Sequence, residues 1–157
     1  MEAQRFVEKE QDTATVLNNL ALLLQATNRL GEAEPLMRRA LEIDEKSYGP
    51  DHPDVARDLS NLAGLLKATN RLAEAEPLMR RTLLILLKFT RETGHFHPDL
   101  RVALENYSGL LKKMSLGDDE IRKRLVQVGI DAGFDLQSYG KLLGQIAPMM
   151  FVSAIHS

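Results

Sequence analysis

The sequence predicts an all-α fold built of stacked helix-turn-helix units. Three observations carry this: a long internal repeat, apolar residues at helical spacing within each copy, and polar turns at fixed places between helices. Residues 12–41 read DTATVLNNLALLLQATNRLGEAEPLMRRAL and residues 54–83 read DVARDLSNLAGLLKATNRLAEAEPLMRRTL; at an offset of 42, 22 of these 30 positions are identical. Self-similarity of that length marks supersecondary units that share one continuous core.

In the first helix of the first copy, Leu17, Leu20, Ala21 and Leu24 fall at i, i+3, i+4 and i+7, one face of an α-helix. Leu59, Leu62, Ala63 and Leu66 keep the pattern in the second copy. Thr27-Asn28-Arg29 and Thr69-Asn70-Arg71 supply a short turn, with asparagine suited to a left-handed or capping conformation. The second helix carries Ala33, Leu36, Met37, Ala40 and Leu41, matched by Ala75, Leu78, Met79, Thr82 and Leu83. Glu32 and Glu34 near its start and Arg38 and Arg39 further along follow the sense of the helix dipole. Pro35 and Pro77 fall in its first two turns, where a proline forfeits at most about one backbone bond. The links Tyr48-Gly49-Pro50-Asp51-His52-Pro53 and Thr93-Gly94-His95-Phe96-His97-Pro98 separate the units.

A third, degraded unit follows. Asp99, Leu104, Asn106, Gly109, Leu110, Leu111 and Lys112 match the second copy at an offset of 45, whereas the EAEPLMRR wording is lost and only Ile121, Leu125 and Val128 hold an apolar stripe. Such decay suits a terminal repeat, which has no successor to cover one of its faces. Residues 135–147 read as one more short helix, stopped by Pro148. We expect a single domain over residues 1–157, with units at about 12–53, 54–98 and 99–132 and a C-terminal cap at 133–157. At the other end, Phe6 and Val7 are expected to pack as a partial cap.

Composition narrows the function classes. The net charge of −2, from 20 basic and 22 acidic residues, advertises neither nucleic acid nor an anionic membrane as a partner. The chain has no cysteine, which excludes disulfides, thiolate metal sites and cysteine nucleophiles. The N-terminus lacks the apolar core of a secretory signal, and no apolar run approaches the roughly 20 residues of a membrane span. A cytoplasmic protein is the default expectation.

Paired amphipathic helices with small residues at fixed places resemble the tetratricopeptide repeat. Large apolar residues of that pattern fall on Leu17, Leu20, Leu24 and on Leu59, Leu62, Leu66; its small positions fall on Ala21, Ala33, Ala40 and on Ala63, Ala75, Thr82. The 42-residue period and the wording LxNLAxLL, EAEPLMRRALEI and GPDHPDVA are similar to the kinesin-light-chain type of the repeat. The resemblance implies a right-handed α-α superhelix, and a non-enzymatic protein-interaction scaffold that binds a peptide segment in a concave groove lined by the first helices. It assigns Asn19, Asn61 and Asn106 to one groove position, one asparagine per unit. A carboxamide both donates and accepts, so it can pair with a peptide backbone of any sequence, or it can bond within its own unit. Gln25, Lys67 and Lys112, beside Lys113 and with Arg57, would make the groove mildly basic and suited to an acidic peptide. Leu22, Gly64 and Gly109 leave room for ligand side chains.

The copies differ in one telling place. Glu42, Asp44 and Glu45 of the first become Leu84, Leu86 and Leu87 of the second. At about 1.5–3 kcal/mol of burial each, three added leucines call for cover. Either the C-terminal segment (Leu142, Leu143, Ile146, Phe151) folds back on them, or they form an interface, in a homodimer or with a partner. Catalytic readings are poor. His95 and His97 form an HxH near Asp99, but His52 at the matching link shows that His-Pro belongs to the repeat. No catalytic set, metal or cofactor is expected.

Overall fold

The computed structural model describes residues 1–148. Among them are seven α-helices: α1 (Glu2–Ala26), α2 (Leu30–Tyr48), α3 (Pro53–Ala68), α4 (Leu72–Thr93), α5 (Leu100–Lys113), α6 (Asp118–Asp131) and α7 (Leu136–Ile146). The fold is all-α, as the repeat requires. The chain divides into two compact units, Met1–Thr82 and the part from Leu83 onward, so the boundary falls inside α4 and not at an inter-repeat link.

The turns between paired helices share one mechanism. Asn28 and Asn70 sit at φ 61° and 59°, the left-handed region. In the first turn Asn28 N–H donates to Gln25 O at 3.0 Å and Arg29 N–H to Leu24 O at 2.8 Å; Asn70 and Arg71 repeat both bonds to Lys67 and Leu66. This bond pair closes a helix with one left-handed residue, which asparagine tolerates better than other side chains. The third turn keeps the bonds with Ser115 at φ 64° in the asparagine's place. In both links a histidine ring accepts a backbone N–H two residues on: His52 Nδ1 from Asp54 N–H, as the N-cap of α3, and His97 Nδ1 from Asp99 N–H, in the turn before α5, both at 3.1 Å. That is the physical duty of the His-Pro pair.

In the N-terminal unit the small residues are fully covered: Ala21, Ala33, Ala40, Ala63 and Ala75 have no exposed surface, and Met37 fills the space beside them. Small side chains let α1, α2 and α3 approach closely. Ion pairs then tie the copies together. Arg71 bonds Glu34 at 2.6 Å and Glu74 at 2.7 Å, and Arg81 bonds Glu45 at 2.5 Å. The Arg71 guanidinium holds the Glu34 carboxyl below its usual range.

Two expectations for α1 need correction. Leu20 is 45% exposed although its counterpart Leu62 is 1% exposed. The two copies therefore have different cover: no described part of the chain covers this position of α1, whereas Leu62 of α3 is covered. Phe6 and Val7 form no cap either; α1 runs unbroken from Glu2 and leaves Phe6 64% exposed.

In the C-terminal unit, Leu83, Ile85, Leu86 and Leu87 of α4 are buried with Leu100, Leu104, Tyr107, Leu110 and Leu111 of α5. Leu84 is half-buried. The chain itself therefore covers most of the apolar run. The cap helix α7 docks through Tyr139, whose hydroxyl donates to Leu125 O at 3.0 Å. Gly129 makes room for that ring: a Cβ there would lie 2.3 Å from Tyr139 Cε1. Burial raises the Tyr139 hydroxyl's pKa. Leu142 and Leu143 are buried and Ile146 half-buried, whereas Phe151 lies outside the described residues.

Candidate functional site

Two neighbouring asparagines on α1 separate the structure's polar chemistry into an outer and an inner site. On the outer side, Asn19 is exposed and Asn61 half-buried in the N-terminal unit; Asn106 is exposed in the C-terminal unit. None of the three carboxamides makes a side-chain hydrogen bond to another described residue. On α3, Arg57, Asn61 and Gly64 recur at i, i+4 and i+7 and so share a face. A Cβ added to Gly64, or to Gly109 in the other unit, would meet nothing within 4 Å. These glycines are not needed for packing and leave open space beside the asparagines. Leu22 is also exposed.

The other polar residues expected to line a groove, the neutral Gln25 and the cations of each unit, differ among themselves. Lys67 and Gln25 are half-buried, Lys112 and Lys113 exposed, and none has an ion-pair partner among the described residues. Arg57 is different. It lies 3.2 Å from Asp54, 3.6 Å from Asp44 and 3.6 Å from Asp58, so its charge is met within the chain. The basic character of the N-terminal unit's outer face rests on Lys67 rather than on Arg57.

The inner site was not anticipated. Asn18, one position before Asn19, is 4% exposed and its Nδ2 donates to Asp58 Oδ1. Asp58 is fully buried and Asp44 is 2% exposed; the two carboxyl groups lie close enough to interact, with Arg57 standing 3.6 Å from each. Burial first, and the neighbouring Asp44 second, push the Asp58 carboxyl up to about 7. Burial also raises Asp44, against the pull of Asp58 and of Arg57. The surround is completed by Tyr48, stacked on His52 with ring centroids 4.3 Å apart.

A signal for this site existed. Asp58 stands in the apolar stripe Val55, Leu59, Leu62, Leu66 of α3, and Asn18 stands between Ala14 and Ala21 of α1, so each polar residue occupies a core register. Among the described residues no group of His, Cys, Asp or Glu is arranged to hold a metal ion, and no helix is long and apolar enough to cross a membrane. Residues 12–88 match a family model described as tetratricopeptide repeat. No curated protein matches the chain at a significant level.

Proposed function

We propose, taking the tetratricopeptide-repeat character of residues 12–88 as the premise, that the chain is a protein-binding module holding an extended, acidic segment of a partner. Such repeats are generally protein-protein interaction modules. The 42-residue period supports the kinesin-light-chain type of the repeat. One observation carries the reading: among the described residues the carboxamides of Asn19 and Asn61 in the N-terminal unit, and of Asn106 in the C-terminal unit, make no side-chain hydrogen bond, whereas Asn18 Nδ2 donates to Asp58 in the core. Such groups cost nothing in water and gain bonds to a peptide backbone laid beside them. Lys67 of the N-terminal unit has no ion-pair partner among the described residues and favours carboxylates on a bound peptide, as Lys112 and Lys113 do in the C-terminal unit. The open space at Gly64 and Gly109 admits its side chains.

The test is a peptide array of acidic, neutral and basic members, applied to the wild type and to the triple variant Asn19→Ala, Asn61→Ala, Asn106→Ala. Preferential binding of acidic members, weakened by about tenfold or more in the variant, supports the reading; at about 1.4 kcal/mol per tenfold this is the loss of one or two good hydrogen bonds. Equal binding by both proteins would refute it.

A further inference from the structure

We propose that Asp44 and Asp58, framed by Asn18 and Arg57, form a proton-binding site at the junction of α1, α2 and α3, and that release of the proton loosens this junction. The inference does not depend on peptide binding. It begins with an accounting of donors. Asp58 Oδ1 accepts from Asn18 Nδ2, while Asp58 Oδ2, like Asn18 Oδ1, is buried and receives no hydrogen bond from a described donor. A buried acceptor without a donor is costly and rare. The group beside it is a second acceptor, the Asp44 carboxyl. Two carboxylates in contact inside a protein cannot both remain ionised at ordinary pH. One proton resolves both problems for the aspartate pair: Asp58 Oδ2 carries it and donates to Asp44.

The charges that face the pair do not remove the need for that proton. From α1 comes the neutral amide of Asn18, with Asp12 further off acting on Tyr48. From α2 come Asp44 itself and the Tyr48 phenol, and from the link comes His52. His52 Nδ1 already accepts Asp54 N–H, as the helix cap requires. From α3 come Asp54 and Arg57. One guanidinium, 49% exposed and shared among three carboxylates, is the only fixed positive charge in this set.

The fold does not demand such a pair. At the equivalent places of the next junction, the counterpart of Asp44 is Leu86, 2% exposed, and that of Asp58 at the offset of 45 is Ala103, 7% exposed. An apolar filling therefore serves the same helix packing, as buried ion pairs generally allow. The polar version confers what the apolar one lacks, a dependence on protons. Its sign follows from the folded carboxyl standing above its unfolded value. The folded state then holds a proton that the unfolded state releases, so stability falls as pH rises from the unfolded carboxylate range through about 7 and is level beyond.

The experiment is thermal melting of the full chain from about pH 5.5 to about pH 8.5, a window in which ordinary carboxylates stay ionised. The wild type is expected to lose several degrees of melting temperature as pH rises. Asp58→Asn, which mimics the protonated form, is expected to stay level. Because that variant could fail to fold, carboxyl carbon NMR of the wild type is the second readout. A titration at Asp58 centred near neutral pH, moved down in Asp44→Asn, supports the proposal. A carboxyl at Asp58 already ionised at about pH 5, or an Asp58→Asn variant with the wild-type pH slope, overturns it.

Discussion

Asn18 and Asn19 are adjacent on α1, yet they belong to opposite regimes. Asn18 faces inward, is 4% exposed and is bonded to Asp58; Asn19 faces outward and bonds to no described side chain. One helical step of about 100° separates a residue that specifies the junction from one that is free for a partner. Residue type alone does not assign a role in a repeat; the side of the helix does. The same lesson appears along the stack, where Leu20 is exposed and its copy Leu62 is covered.

This contrast can be broken in several places. The largest effect is expected for the covered leucine. Leu62→Ala should cost about 2–5 kcal/mol in chemical denaturation, whereas Leu20→Ala should cost below about 1 kcal/mol. Equal costs would mean that the two copies do not differ in cover. Next, Asn18→Ala leaves the buried Asp58 without its donor and should cost about 1–3 kcal/mol by the same measurement. A loss in the range of surface substitutions would show the inner bond to be dispensable. Smaller again is the tie between copies. Arg71→Ala removes surface pairs with Glu34 and Glu74 and should lower stability by about 1 kcal/mol or less, with a loss that shrinks in high salt. The smallest change is expected at the outer face: Asn19→Ala should shift stability by no more than about 0.5 kcal/mol.

Much of this architecture was legible in the sequence. The helices follow from apolar spacing, the turns from Asn28 and Asn70, and the tight core from alanines at fixed places. The His-Pro links belong to the repeat, and the matching bonds from His52 and His97 to backbone N–H groups give the physical reason. What the sequence left hidden depends on neighbours. Nothing local distinguishes Asp44, covered by other helices, from exposed Glu42 two positions earlier. Asp58 reads as a solvent residue beside Arg57 until its register among Val55, Leu59 and Leu62 is weighed. Arg57 likewise reads as a groove cation; Asp54 and Asp58 meet it from its own helix, and only the packing of α2 against α3 adds Asp44. Leu20 misleads in the opposite sense, because a repeat pattern does not say which neighbours cover each copy.

The most direct test of the outer face as a partner-binding surface is side-chain amide NMR during titration with the tightest acidic peptide from the array. The carboxamide signals of Asn19, Asn61 and Asn106 are expected to move with the peptide, while that of Asn18, held by Asp58, stays in place. Carboxamides at the three outer positions that remain unchanged at saturating peptide would contradict the account.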